Sequence, residues 1–110
     1  MGTTKTKLFT NEVNAIANLA KAVAHPARIT IINRLLQTET CVCGDFVQDL
    51  GLAQSTVSQH LLALKKAGLI QGTIQGPSTC YCLDVDQWNE FRKSIGNFIN
   101  QEAALKSFCC

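Results

Sequence analysis

Two short helical segments hinged at a glycine, followed at once by two strands around a Gly-Pro turn, predict a mainly α, α+β fold of the winged helix-turn-helix class. It should hold about five helices, a two-stranded wing and a short third strand. The first observation is the stretch DFVQDLGLAQSTVSQHLLALKKAGLI, Asp45 to Ile70. Phe46, Val47 and Leu50 give its first helix an apolar side, and Gly51 supplies a residue able to end that helix in the left-handed conformation. In its second helix, from Gln54, the apolar positions Val57, Leu61 and Leu64 fall at i, i+4 and i+7. The second observation is the hairpin, with strands over 69–75 and 78–83 around Gly76-Pro77. An ordinary helical hairpin would share the first pattern; the strands that follow it select the wing.

The elements before and after this motif read as scaffold. Thr10 can cap a first helix that runs to Val23 and carries a stripe of Val13, Ile16, Ala17 and Ala20. His25-Pro26 breaks it, and proline suits the first turn of a second helix. In that helix Ile29, Ile32 and Leu36, with Ile31 and Leu35 beside them, are apolar almost all round, which predicts central core. A last helix is predicted over 85–108, opened by an Asp84/Gln87 capping box and a Leu83/Trp88 staple. Trp88, Phe91, Ile95, Phe98, Leu105 and Cys109, with Glu102 kept in register, form a seam that predicts pairing with the first helix in a homodimer.

At 110 residues the chain is one small domain, residues 1–110, with the helix-turn-helix over 45–67 and the wing over 69–83. A domain this small buries about two-thirds of its unfolded surface, so a second copy is a natural supplement. The hydrophobic fraction of 46% with 16% charged residues argues against disorder. No run is long enough to span a membrane and no signal-peptide core follows Met1, so a cytoplasmic location is expected. No Ser-His-Asp, paired-carboxylate or phosphate-loop pattern is present, and an enzyme is not expected.

A reading helix needs polar side chains toward the groove and positive charge toward phosphates. Ser55, Thr56, Ser58, Gln59 and His60 supply the first, Gln59 being suited to a bidentate adenine contact. Lys65 and Lys66 supply the second, and no acid intervenes between Asp49 and Asp84. The net charge of +2 is modest for a binder of double-stranded DNA, and the wing segment TIQGPST carries no cation. Ala53 stands where an N-cap serine or threonine would serve.

The chain has six cysteines, in three pairs. In a reducing compartment so many thiols point to metal or redox chemistry before structural disulfides. Cys41-Val42-Cys43 and Cys80-Tyr81-Cys82 are both C-x-C, which in a strand puts two sulfurs on one face. If Cys41 to Cys43 forms the short strand before the helix-turn-helix and pairs with the second wing strand, four thiols gather within reach, able to take a thiophilic ion or to form cross-strand disulfides. Cys109-Cys110 can share one ion only where the chain end frays. Single buried cysteines would simply pack as small hydrophobes.

Together AHPARITIINRLL, CVCGDF and STVSQHLLALKKAGLI, spanning Ala20 to Leu83 with the hairpin, resemble the bacterial ArsR/SmtB family of metal- and metalloid-responsive repressors. The resemblance implies a winged-helix homodimer that leaves its DNA operator when a soft metal, a metalloid or a sulfur oxidant reaches its thiols. It also implies that the C-x-C before the helix-turn-helix and the C-terminal cysteine pair are thiolate sites, arsenite or antimonite being favoured. The last helix has no histidine, so oxygen- and nitrogen-preferring zinc or nickel sensing is not expected. Thiolates alone suit trivalent arsenic, cadmium, lead, copper(I) or a tetrathiolate zinc. Reversible oxidation or persulfidation of the thiols, and a purely structural zinc, stand as the alternatives.

Overall fold

The structure, a computed structural model, describes residues 7–105 apart from Asp45 and Pro77. Among the described residues five helices and three strands follow one another as α1 (Asn11–Val23), α2 (Pro26–Leu36), β1 (Val42–Cys43), α3 (Phe46–Leu50), α4 (Gln54–Lys66), β2 (Ile70–Gln75), β3 (Ser78–Leu83) and α5 (Val85–Ile99). The strands form one antiparallel sheet in the order β1-β3-β2, the arrangement of a winged helix. Among the described residues no helix is long and apolar enough to cross a membrane.

Local chemistry sets most of the boundaries. The Thr10 side chain accepts from the Val13 amide at 3.2 Å and starts α1. His25 does the same for α2, its Nδ1 accepting from the Ala27 amide at 3.0 Å with Pro26 at the first position. Gly51, at φ +66°, takes the left-handed turn between α3 and α4, and Gly44, at φ +81°, the one between β1 and the helix-turn-helix. Asp84 caps α5 through the Gln87 amide at 3.1 Å. The expected return bond of a capping box is replaced, because the Asp84 amide donates to the Leu69 carbonyl at 2.8 Å and ties the start of α5 to the end of the reading segment.

The core joins Ile31, Ile32 and Leu35 of α2 to Val42, Phe46, Val57, Leu61, Leu64, Leu69, Ile70 and Phe91. It therefore clamps the helix-turn-helix between α2 and the sheet. Two expectations need correction. Ile29 and Leu36 are 46% and 44% exposed, because a single copy buries only one face of α2. The last helix ends at Ile99, not near residue 108: Gly96, Asn97 and Asn100 are weak helix formers and no cation stands in the last turn to meet its carbonyls. Gln101 Nε2 instead donates to the Phe98 carbonyl, and Leu105 lies beyond the helix, exposed. The helical part of the seam is thus 15 residues, about 22 Å.

Candidate nucleic-acid interface and thiol site

Helix α4 buries Val57, His60, Leu61 and Leu64 and presents the rest of its first two turns outward. Ser55, Ser58 and Gln59 are exposed and Thr56 is half-buried, so the four share a polar surface. Gln54 Nε2 donates to Ser58 Oγ at 3.1 Å across one turn. Ala53 occupies the N-cap with no side-chain bond, which leaves first-turn amides of α4 without a side-chain partner from that position. Lys65 and Lys66 are exposed at the other end, and the Lys65 ammonium lies over Gly72 of β2, 3.6 Å from where a Cβ there would stand.

His60 does not lie on that polar surface. It is 8% exposed, its ring 4.3 Å from that of His25, and its Nδ1 accepts from Arg28 Nε at 3.0 Å. Burial first, then the positive charge brought by His25 and Arg28, pushes its pKa below the ordinary histidine value. The expectation of a DNA-facing histidine fails because position 60 is i+3 from Val57 and i+4 before Leu64, squarely on the buried stripe. Arg28, absent from the sequence-based candidates, is the residue that organises this contact. Its signal in the sequence was a cation in the first turn of a mostly apolar helix.

Arg34 of α2 pairs with Asp49 of α3 and fixes the first helix of the motif to the core helix. On the sheet, β1 registers with β3 so that Cys43 stands opposite Cys80 and Val42 opposite Tyr81. Val42 and Tyr81 turn toward the core, where the Tyr81 ring meets Phe46 edge-on at 6.3 Å. The cysteines alternate to the other face. There Cys43 is joined to Cys80 and Cys41 to Cys82, with Cα separations of 4.0 Å and 4.5 Å. Separations this short bring facing side chains nearest in an antiparallel pair. Cys80 is 1% exposed, Cys41 and Cys82 are half-buried and Cys43 is exposed. The four sulfurs expected from the two C-x-C runs therefore meet as two cross-strand pairs. With these bonds made, no group of three or more histidine, cysteine or acidic ligands stands together among the described residues. Cys109 and Cys110, expected as a third pair, lie outside the described residues.

An exposed polar helix flanked by a wing, on a base of packed helices, defines a winged-helix domain of the regulator class. The family model for bacterial regulatory proteins of the arsR family matches residues 25–71, and an uncharacterised HTH-type transcriptional regulator of Mycobacterium tuberculosis (strain CDC 1551 / Oshkosh) is 34% identical over 93 residues, 81% of this chain and 82% of that protein. The chain belongs to the ArsR family. The biofilm growth-associated repressor of Xylella fastidiosa is 36% identical over 58 residues, 53% of this chain and 50% of that repressor, so the chain spans about half the length of this relative. Among solved structures, HlyU from Vibrio cholerae N16961 superposes with a TM-score of 0.66 at 27% identity, covering 84% of this chain and all (100%) of that one. Reduced HlyU from the same organism gives 0.62 at 28%, covering 81% and 93%. The family and these named relatives are regulators, not enzymes.

Proposed function

We propose that the chain is a cytoplasmic, homodimeric repressor that reads an operator half-site with α4 and is released from it by sulfur chemistry on the sheet. One observation carries the reading: Cys43 on β1 and Cys41 just before it, in the segment that leads directly into the helix-turn-helix, face Cys80 and Cys82 on the wing. Bonding them fixes the wing against the entry to the reading motif; opening them frees one from the other. Ser55, Thr56, Ser58 and Gln59 meet base edges or phosphates, and Lys65 and Lys66 meet phosphates.

The switch is a dithiol-disulfide conversion. A peroxide takes one thiolate to the sulfenic acid, the facing thiol displaces water, and each pair loses two hydrogens. The reduced form binds the operator. The disulfide form binds about 5- to 150-fold more weakly, the range that a coupling of about 1 to 3 kcal/mol gives. That a similar protein has been solved in a reduced form agrees with a thiol state that matters in such folds.

A second reading rests on the same four sulfurs. Four soft donors on one face of the sheet, in a chain whose wing and last helix carry no histidine, suit trivalent arsenic or antimony, or cadmium, lead, copper(I) or zinc, once the bonds are reduced. Cys109 and Cys110 supply a third pair of soft donors by type.

Fluorescence anisotropy on a selected operator fragment, with protein that is reduced, peroxide-treated or arsenite-treated, tests both. Intact mass separates them, loss of two hydrogens per pair against a gained arsenic. Cys41→Ser with Cys43→Ser should leave binding by the reduced protein intact and abolish the response. Equal affinity in all three states would remove the sulfur switch and leave a DNA binder.

A further inference from the structure

Both histidines of the chain meet at one place, where α1 turns into α2 beside the reading helix. Arg28 joins three elements there. Its Nε donates to His60 Nδ1 of α4 at 3.0 Å, its Nη1 donates to the Ala22 carbonyl in the last turn of α1 at 3.1 Å, and its own backbone belongs to α2. His25 closes the group, capping α2 through the Ala27 amide and lying against the His60 ring at 4.3 Å.

A guanidinium can only donate, so His60 Nδ1 must offer a lone pair. The tie therefore exists only while that imidazole is neutral. The neighbouring residues Ser58 and Gln59 are part of the exposed reading surface, so whatever holds His60 also fixes the rotation and depth of that surface relative to α1 and α2.

We infer that Arg28 is a positioning residue for DNA reading: acting through His60, it holds α4 at a set angle to the α1–α2 pair, and protonation of His60 releases that hold. Two charged or titratable groups bear on His60, His25 from the turn between α1 and α2 and Arg28 from α2, and α1 brings the Ala22 carbonyl that Arg28 grips. On protonation Nδ1 becomes a donor facing a donor, and two cations stand where one hydrogen bond stood. Operator affinity then falls with acid, independently of the thiols, although the effect on DNA rests on the reading of α4 as the DNA-contacting helix.

The test uses the full-length protein with its thiols kept reduced. Anisotropy on a duplex selected in vitro is measured from about pH 7.5 to about pH 5.5, the range in which histidine is the side chain that ordinarily titrates. The wild type should lose at least about threefold in affinity over that range, since a site that must stay neutral in one state loses up to about tenfold per pH unit. His60→Gln keeps an acceptor for Arg28 and should show less than half of that loss. Arg28→Lys has no fork to span both acceptors and should bind more weakly at every pH. Parallel pH profiles for wild type and His60→Gln would overturn the inference. Amide hydrogen exchange along α4, corrected for intrinsic rates, gives a reading without DNA. Faster exchange at the acid end in the wild type supports the inference, and unchanged exchange overturns it. Failure to recover any duplex would count against the DNA-binding reading alone, and exchange would still decide the role of Arg28. The same wild-type exchange decides if His60→Gln does not fold.

Discussion

Cys43 lies directly opposite Cys80 across β1 and β3, their Cα atoms 4.0 Å apart, and Cys41 repeats the relation with Cys82 two residues along. The two bridges close nearly the same loop, with sequence separations of 37 and 41. In the chain-entropy account one cross-link over such a loop stabilises by about 4 kcal/mol, and a second adjacent to it has almost no loop left to constrain. In the oxidised protein, Cys41→Ser with Cys82→Ser should therefore cost less than about 1 kcal/mol, whereas replacing all four cysteines should cost about 4 kcal/mol. Urea unfolding without reductant measures both; equal, additive losses from the two pairs would show that they act on separate parts of the fold.

The uncapped start of the reading helix gives a second prediction. Ala53 sits at the N-cap of α4 in an extended conformation, φ −63° and ψ 150°, the geometry in which a hydroxyl reaches the first-turn amides. Ala53→Ser should stabilise the protein by about 1 kcal/mol and raise Tm by about 4 °C. A thermal scan of the reduced protein would expose the error if Tm stays flat or falls.

Much of this architecture was legible in particular residues. The spacing of Val57, Leu61 and Leu64 located α4, Gly76-Pro77 located the wing turn, and the period of two in each C-x-C put two sulfurs on one face of a strand, the pairing of β1 with β3 bringing all four together. What escaped had physical reasons. His60 lay on the buried stripe by position, but as a polar type it reads as surface, and only its bond to Arg28 across 32 residues makes burial tolerable. The return half of the capping box was lost to a long-range partner, the Leu69 carbonyl, that no local pattern encodes. The seam spacing runs on past Ile99, but the weak helix formers Gly96, Asn97 and Asn100 stand at the helix end, and the good formers Gln101 to Leu105 that follow do not restart it. Which ion or oxidant reaches the thiols is set by solution chemistry that the spacing of cysteines does not contain.

A third prediction concerns the face that one copy leaves open. Val13 of α1 and Phe98 and Ile99 of α5 are 51%, 56% and 65% exposed, and α1 packs against α5. Beside them an apolar hollow of about 900 Å³, lined by Ala20, Val23, Ile29, Leu36, Trp88 and Ile95, separates α2 from those helices. Exposed apolar surface on this scale marks an interaction site, here assigned to a second copy. Val13→Glu with Phe98→Glu should convert a dimer into a folded monomer in sedimentation and should abolish tight operator binding while leaving the circular dichroism spectrum intact. A wild type that sediments as a monomer at all concentrations would refute the assignment of this face.

The last prediction follows from the sign of the His60 shift. Its folded-state pKa lies below the ordinary value of about 6.5 that it regains on unfolding. Between those two values the unfolded chain binds more protons than the folded one, so stability rises with pH there. The contribution is complete above about pH 6.5 and is lost as pH falls from that value toward the folded pKa. His60→Gln carries no such proton, so its stability should be flatter over the same interval, and the wild-type advantage should shrink or invert in acid. Denaturant melts of reduced wild type and His60→Gln, taken at intervals from about pH 7.5 to about pH 5, give the difference directly. A difference independent of pH would mean that His60 is protonated to the same extent in both states, contrary to its burial against His25 and its bond from Arg28.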